Sequence, residues 1–336
     1  DYIRLYEKIY SCVENACSVY ASDRFHKTSI HEVKKNIRYI NKTLTLLKET
    51  SGNFWIKLVA STEILKARIV YDTIAKFDIY SYYNVTVFDD VSSAEHIIIE
   101  RANSKGITTV TMEHGAFGGY NPKEATLDEL GIEFRFSNAK YYLLWNLDEK
   151  EKAINSGLTE DKLKIVGIPA YIGVERNSLR NKQNLFGIIL NGAMYETHNI
   201  PLIKMGNKIA KYLGYKYIVR YHPNYKGTEY FDQINYDYYA GNSEKSESIL
   251  EYSKRVDFSI ITCSAVFNEL IYLNSTVYRY AYDPNDKFSD VKDNSFESFE
   301  DFKAMYPDDH GDALFNRFCT VRDVEKAYKD FYRGLL

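Results

Sequence analysis

Residues 86–119, TVFDDVSSAEHIIIERANSKGITTVTMEHGAFGG, contain the pattern that decides the fold class of this chain. A buried strand ends at Phe88, and the residues after it place apolar side chains at helical spacing (Ile97, Ile98 and Ala102). Gly106 ends this helix, and the β-branched run of residues 107–112 is typical of a second strand that is buried on both faces. A strand, a helix and a strand in one such stretch predict a right-handed βαβ unit of a parallel sheet.

The second strand leads directly into a group of chemically useful residues: Glu113, His114, Gly115, Gly118 and Gly119. Ligands of open α/β sheets bind beyond the carboxyl ends of the strands, so we expect a site here. Either His114 or Glu113 is the expected general base, since a histidine has a near-neutral pKa that suits it to remove a proton from a hydroxyl. The first strand ends in two acidic residues that either bind a ligand or cap the helix (Asp89 and Asp90).

The composition is that of an ordinary soluble globular protein. Of the 336 residues, 45% are hydrophobic and 26% are charged. A chain of this length is expected to form about two domains. The formal net charge of −3 argues against a nucleic-acid partner, because nucleic-acid-binding domains are basic. No stretch approaches about eighteen apolar residues and the N-terminus has no signal-peptide pattern, so we expect a cytoplasmic protein.

The cysteines indicate neither a disulfide framework nor a metal site. They are Cys12, Cys17, Cys263 and Cys319. Cys12 and Cys17 share one predicted helix, at an offset that points them to different faces and disfavours a bridge. No CxxC pair and no Cys/His spacing typical of a metal site is present. We therefore expect small core residues in a reducing compartment, and no metal requirement.

Residues 1–50 are predicted to form amphipathic helices. Ser29 and Glu32 have the spacing of a capping box, and the apolar residues after them alternate steps of three and four beside several lysines. Those apolar residues are Ile30, Val33, Ile37, Ile40, Leu44 and Leu47. Such a narrow stripe packs on its own domain, packs on a sister subunit in a homo-oligomer, or rests on anionic lipid. The last alternative would place the protein at the inner face of the cell membrane.

The second half of the chain repeats the alternation of strands and helices. Strands are predicted at residues 186–190, 217–221, 258–261 and 276–280, with helices at 200–213, 248–255 and 265–273. This alternation predicts a second parallel sheet. The polar residues 172–184 are the expected linker, which gives domains at 51–171 and 185–320 and a last helix within 321–336.

Polar residues stand at the ends of the second-domain strands, where they would face the first domain across a cleft. They are Asn191, Gly192, His222, Pro223, Thr262 and Ser264. Ser264 begins a predicted helix whose first N–H groups favour an anion, and His222 can donate a hydrogen bond to the same anion. This combination suits a phosphate or a diphosphate. The sequence has no Walker glycine loop and no GxGxxG, which argues against ATP hydrolysis and against nicotinamide chemistry.

Four segments together resemble GT-B-fold glycosyltransferases of bacterial surface-polysaccharide synthesis, in particular capsule, lipopolysaccharide and teichoic-acid enzymes. The segments are TVTMEHGAFGG, KIVGIPAY, RYHPNY and SIITCSAVFNELIYLN, within residues 80–285. The resemblance to CDP-glycerol glycerophosphotransferases implies that His114 and Gly115 supply the base, and that His222, Pro223 and the turn 262–264 contact the donor. The chain is also similar to GT-B sialyl- and Kdo-transferases, from which it departs at His114 and Cys263.

These observations predict an α/β protein of the GT-B type, with two Rossmann-like domains whose parallel sheets face an interdomain cleft, plus N-terminal helices. The expected activity is that of an inverting, metal-independent glycosyltransferase without a cofactor. It would move a sugar from a nucleotide sugar to a hydroxyl of a glycan or lipid-linked glycan. The expected acceptor-binding residues are Asp89, Asp90, Gly115, Gly118 and Gly119.

Three other functions stay open at this point. One is a CDP-polyol-type glycerol- or ribitol-phosphate transferase on the same fold. Another is a non-catalytic carbohydrate-binding partner in a polysaccharide assembly complex. A nucleotide-sugar epimerase of GT-B shape is the third, and it would need no separate acceptor.

Overall fold

The computed structural model describes residues 7–9, 11, 13, 81–88, 90, 93–112, 120–121, 126–127, 137–175, 183–223, 225–227, 229–283, 291–308 and 310–335. Several predictions fall on residues outside these ranges. They concern the stripe of residues 30–47, Cys12 and Cys17, Asp89, and the segment 113–119 that carries the expected base.

The predicted βαβ unit is present and belongs to a parallel sheet. The strands and the hairpin in this part of the chain are β1 (Asn84–Val87), β2 (Thr108–Met112), β3 (Tyr120–Asn121), β4 (Thr126–Leu127), β5 (Tyr141–Leu144) and β6 (Leu163–Ile165). The sheet has the order β1-β2-β5-β6 with parallel neighbours throughout. The antiparallel pair of β3 and β4 lies between β2 and β5 in the chain and is separate from this sheet.

Among the described residues, two helices accompany this sheet, α1 (Ser93–Asn103) and α2 (Leu147–Asn155). The predicted apolar face of α1 was partly wrong, because Ile99 and Ala102 are fully buried whereas Ile97 is only half-buried. The helix α2 starts at Asn146, whose side-chain oxygen accepts a hydrogen bond from the backbone N–H of Glu149 at 2.9 Å.

The second sheet contains six parallel strands, two more than the sequence predicted. They are β7 (Leu185–Ile189), β8 (Lys216–Arg220), β9 (Tyr239–Asn242), β10 (Phe258–Ile261), β11 (Val277–Tyr280) and β12 (Ser295–Phe296). Their order across the sheet is β9-β8-β7-β10-β11-β12. The chain therefore builds outward from β7 in one direction, and returns to the other side of β7 with β10. This is the strand order of a Rossmann domain, and its switch point lies between β7 and β10.

The described residues of this half of the chain form six helices. They are α3 (Asn199–Leu213), α4 (Ile249–Arg255), α5 (Val266–Tyr272), α6 (Phe299–Met305), α7 (Gly311–Phe318) and α8 (Val324–Arg333). The helix α3 ends at Leu213, as the predicted helix at 200–213 does, and Gly214 follows it in the left-handed conformation, at φ +69°. The sequence analysis missed α6, α7 and the strand β12.

The last helix, α8, returns to the first sheet. The hydroxyl of Tyr332 lies 3.0 Å from Oγ1 of Thr86 in β1, and the ring of Phe331 meets that of Tyr141 in β5 edge-on. Gly167 is required where this helix approaches, since it has φ +84° and a Cβ there would lie 2.9 Å from Cγ2 of Val324. The C-terminal helix thus joins the two halves of the chain.

The two sheets share one apolar core. A single cluster of buried residues contains Met112 and Leu143 from the first sheet and Ile189 and Ile261 from the second. Ile9, in a helical turn near the N-terminus, is buried in the same cluster. Among the helices that the structure describes, none is both long enough and apolar enough to cross a bilayer.

Candidate functional site

Asn191 lies at the switch point of the second sheet, directly after β7. Its side-chain amide donates a hydrogen bond to Oγ1 of Thr262, which follows β10, at 2.5 Å. Both residues are buried. The ends of the two strands that flank the switch point are therefore tied together by side chains, where ligands of such sheets bind.

Asn199, the first residue of α3, holds the backbone of Asn191 in place. The Oδ1 atom of Asn199 accepts a hydrogen bond from the Asn191 N–H at 2.8 Å, and its Nδ2 donates to the Asn191 carbonyl at 3.1 Å. Because Asn199 is fully buried, this two-point contact fixes the loop after β7 with little freedom.

His222 lies on the other side of the same loop. It follows β8, and its ring packs so closely on Gly192 that a Cβ there would lie 3.1 Å from Nε2. Partial burial lowers the pKa of His222 from its ordinary value of 6.5, so the free protein holds a neutral imidazole at neutral pH. A neutral imidazole still carries one N–H that can donate to a ligand oxygen.

The turn 262–264, which follows β10, is the third segment of this site. Thr262 and Cys263 are buried, whereas Ser264 is half-buried. The hydroxyl oxygen of Ser264 accepts a hydrogen bond from the N–H of Val266 at 3.3 Å, which leaves the hydroxyl hydrogen available to a ligand. The structure thus brings Asn191, Gly192, His222, Thr262 and Ser264 to adjacent strand ends. Their role in donor binding stays a prediction. The exposed Pro223 follows His222.

His198 is a candidate that the sequence analysis missed. It is the last residue of the 3₁₀ segment Ala193–His198, and it is buried between two tyrosine rings. Its Nδ1 atom lies 3.6 Å from Sγ of Cys263, and its Nε2 atom lies 3.5 Å from Oδ2 of Asp283. The rings belong to Tyr195 and Tyr282, with centroids 5.6 Å and 5.5 Å from that of His198. In the sequence, His198 stands before a helix that contains a proline, and this position alone does not indicate a functional residue.

The half-buried Tyr230 and the exposed Glu196 lie beside Asn199. The Tyr230 hydroxyl donates to Oε1 of Glu196 at 2.8 Å and accepts from Nδ2 of Asn199 at 3.4 Å. Burial, above all other causes, raises the pKa of Tyr230, so its hydroxyl stays protonated throughout the neutral range. The protonated hydroxyl therefore links Glu196 to Asn199 beside the loop that follows β7.

Asp90, in the first domain, accepts hydrogen bonds from other residues of that domain. Its Oδ2 atom accepts hydrogen bonds from Oγ of Ser137 at 2.8 Å and from the backbone N–H groups of Asn138 and Ala139, each at 3.0 Å. Burial raises the pKa of Asp90, and these hydrogen bonds together with the charge of His96 oppose that rise. Asp90 therefore holds the segment before β5 against the end of β1. Its role in acceptor binding stays a prediction.

The remaining first-domain candidates lie outside the described residues: Asp89, Glu113, His114, Gly115, Gly118 and Gly119. That they face His222 and Ser264 across a cleft stays a prediction. The described part of the chain contains no group of three or more His, Cys, Asp or Glu side chains placed to hold a metal ion.

Comparison with known proteins identifies the fold. No family model matches the chain, and no curated protein matches it in sequence. Among solved structures, the pneumococcal O-GlcNAc transferase GtfA, in complex with UDP and GlcNAc, matches with TM-score 0.52 and 11% identity, over 80% of this chain and 60% of the transferase. A protein described as UDP-N-acetylglucosamine 2-epimerase from Listeria monocytogenes matches with TM-score 0.51 and 9% identity, over 80% and 77% of the two chains.

These likenesses and the two parallel sheets define an α/β fold of the GT-B type with two Rossmann-like domains. This confirms the fold class that the sequence predicted. At such low identity the likeness concerns the fold alone.

Proposed function

We propose that this protein is a nucleotide-sugar-dependent glycosyltransferase whose donor binds at the carboxyl end of the second sheet. The observation that carries the proposal is the convergence of Asn191, His222 and the turn 262–264 at the switch point of a Rossmann domain. Hydrogen-bond donors gathered at such a point suit the phosphates of a nucleotide.

The proposed reaction moves a sugar to an acceptor hydroxyl with inversion. A base, His114 or Glu113, takes the proton of the hydroxyl, whose oxygen attacks the anomeric carbon as the bond from that carbon to the phosphate oxygen breaks. The electron pair of that bond leaves with the nucleotide. His222 and Ser264 donate hydrogen bonds to the phosphate oxygens on which the charge develops, and one such donor typically lowers the barrier by about 3–4 kcal/mol.

The names of the structural neighbours suggest the first donor to test. GtfA was solved with UDP and GlcNAc, and the Listeria protein is named for UDP-N-acetylglucosamine. We therefore propose a UDP-sugar as donor and a surface glycan such as capsule or lipopolysaccharide, free or lipid-linked, as acceptor. No metal and no further cofactor enter the proposed reaction. Peripheral membrane contact or self-association through residues 1–50 belongs to the same proposal.

An epimerase is the second candidate, because the matched protein from Listeria monocytogenes is described as a 2-epimerase. An epimerase would change the configuration of the nucleotide sugar in the absence of any acceptor. The two candidates therefore differ in a simple observation, which is whether product forms without a second substrate.

The first experiment screens wild-type protein by thermal shift against UDP, CDP, GDP, CMP and their sugar conjugates. Each nucleotide sugar that stabilises the protein is then incubated with and without glycan acceptors, while nucleotide release and sugar configuration are followed. We expect stabilisation by a UDP-sugar and nucleotide release that depends on the acceptor. Product without an acceptor favours the epimerase, and release of CMP from a CDP-polyol favours the polyol-phosphate transferase.

Alanine substitutions of two histidines, one at the site and one distant in the sequence, test the site. His222→Ala should lower kcat about a hundredfold at saturating donor without loss of fold, since a well-placed donor is removed. His310→Ala, which removes an exposed imidazole at the start of α7, should leave kcat unchanged. Wild-type turnover in His222→Ala would rule out the assignment.

A further inference from the structure

The contacts of His198 form a continuous chain that reaches the switch point. Asp283, after β11, faces Nε2 of His198, and Nδ1 of His198 faces Sγ of Cys263. The thiol of Cys263 also lies 3.6 Å from Oδ1 of Asn191, whose amide donates to Thr262 at 2.5 Å. The outer end of this chain reaches solvent, because the Asp283 side chain is 37% exposed. Every other member is buried.

The direction of these hydrogen bonds depends on His198. When Nδ1 carries a proton it donates to Sγ, and the thiol hydrogen is then directed to Oδ1 of Asn191. When Nδ1 is unprotonated, its lone pair faces the thiol, and the thiol hydrogen turns toward His198 instead. Oδ1 of Asn191 loses that donor in the second arrangement. Hydrogen bonds of a buried network reinforce one another, so the state of the imidazole is felt at the Asn191 amide.

We propose that His198 is a positioning residue of the donor site, which acts through Cys263 to set the Asn191 side chain and the turn 262–264. The inference rests on the proposed function, since it assumes that this turn and Asn191 receive the donor phosphates. His198 itself needs no contact with the substrate. The His198 imidazole is held in place by Asp283, which faces Nε2, and by the neighbouring rings of Tyr195 and Tyr282.

Conservative variants at position 198 separate positioning from packing. An asparagine amide can occupy the place of Nδ1 and keep the contact with Cys263, whereas a glutamine amide reaches toward Asp283 and loses that contact. We expect His198→Ala and His198→Gln to lower kcat about tenfold to a hundredfold, with the donor KM changed by less than about threefold. His198→Asn should recover most of the wild-type kcat. A role in packing alone would make asparagine and glutamine equally harmful.

A double-mutant cycle tests whether His198 acts through Cys263. If it does, Cys263→Ala lowers kcat about as much as His198→Ala, and the double variant is no worse than either single one. The matched control is Cys319→Ala, which removes an equally buried thiol whose Sγ donates to the backbone carbonyl of Asn268 at 3.7 Å. We expect Cys319→Ala to leave kcat unchanged. Additive losses, or equal losses in the two cysteine variants, would overturn the inference.

A second readout is independent of turnover. In a Cys12→Ser, Cys17→Ser background, the rate at which iodoacetamide alkylates Cys263 reports its contact with the imidazole, and Cys319 serves as the internal reference. We expect His198→Ala to raise the Cys263 rate about tenfold relative to Cys319, because the buried thiol loses the imidazole that contacts and covers it. His198→Asn should change it less. An unchanged ratio of the two rates would overturn the inference.

The same measurements distinguish failure of this inference from failure of the proposed function. If the wild-type protein neither binds nor consumes any nucleotide sugar, the proposed function is wrong. The claim that the contacts of His198 position a donor site is then wrong as well. Wild-type activity with an unaffected His198→Ala variant would overturn the positioning role alone.

Discussion

At the scale of single residues, the close packing of the His222 ring on Gly192 makes the proposed role of His222 testable. Any residue can adopt the backbone conformation of Gly192, at φ −72°, and the atoms nearest to an added Cβ belong to the His222 ring, at 3.1 Å and beyond. Gly192→Ala should therefore push the ring aside and lower kcat about tenfold or more, since small displacements of reacting groups are costly. The melting temperature should stay close to that of wild type.

The control for this substitution is Gly334→Ala, at a right-handed helical position where the added Cβ stays 3.4 Å from the nearest atoms. That variant should keep both activity and melting temperature. Steady-state kinetics and thermal denaturation of the two variants decide the matter. A fully active Gly192→Ala would show that the position of the His222 ring does not matter.

The lowered pKa of His222 has a pH consequence of known sign. A bound phosphate favours the imidazolium and raises the pKa of the ring, so the complex holds more protons than the free protein between the two pKa values. Nucleotide affinity should therefore rise as the pH falls through that interval. The effect on folding runs the other way, because the unfolded chain binds more protons below about pH 6.5 and stability falls there.

Calorimetric titration with UDP between about pH 5.5 and 8 tests the binding prediction. His222→Gln is the control, since it keeps a hydrogen-bond donor and removes the titration. The phosphate of UDP titrates in both proteins, so only the difference in slope belongs to His222. Equal slopes for the two proteins would contradict the prediction.

At the scale of secondary-structure elements, the contact between α3 and β7 depends on Gly206. A Cβ there would lie 2.3 Å from Cδ1 of Ile188, so the helix rests on the strand with no room for a methyl group. Alanine gains about 1 kcal/mol of helix propensity over glycine, but overpacking in a core costs about 1–3 kcal/mol and commonly more than offsets that gain. Gly206→Ala should therefore destabilise the protein.

A compensating variant makes this prediction specific. Ile188→Val removes the Cδ1 atom and by itself costs about 1 kcal/mol. The double variant, Gly206→Ala with Ile188→Val, should be more stable than Gly206→Ala alone. Urea denaturation of all four proteins measures the coupling, and strict additivity of the two losses would contradict the packing argument.

The sequence predicted those elements whose signals are local. The strands β7 and β10 follow from apolar runs that are buried on both faces, and the predicted helix at 200–213 matches α3. The edge strands β9 and β12 escaped notice because β9 is only half-buried, with a glycine at φ +126°, and β12 has two residues. Helix α7 did leave a signal, since Leu314, Phe315 and Phe318 have helical spacing.

At the scale of the whole molecule, the sheet order explains why part of the site was predictable. Polar residues at strand ends could be recognised one by one, and the Rossmann order then places β7 between β8 and β10, so their ends meet. His198 could not be found in this way. Its partner Cys263 lies 65 residues further along the chain, and only the folded structure joins them.

The C-terminal segment also ties the two halves of the chain through charge. Arg317 in α7 donates to Oδ1 of Asp148 in α2 at 2.6 Å and 2.8 Å, and Lys152 lies 2.8 Å from Oδ2 of the same carboxylate. Burial alone would raise the pKa of Asp148, but the charges of Lys152 and Arg317 outweigh it and hold the pKa below its ordinary value of 3.8. The ionised carboxylate therefore contributes stability above pH 3.8, which is lost as the pH falls through the folded pKa.

Arg317→Ala should thus destabilise the protein at neutral pH by about 1–2 kcal/mol, less than for a fully buried pair, since solvent screens the arginine and Lys152 still faces Asp148. The Arg317 side chain is 35% exposed. The difference from wild type should shrink in acid, once Asp148 is protonated in both proteins. Lys326→Ala, which removes an exposed pair with Asp330 in α8, is the control and should change nothing measurable. Urea denaturation at neutral and acid pH decides the matter, and a loss of stability independent of pH would assign the effect of Arg317 to packing on Phe318 instead.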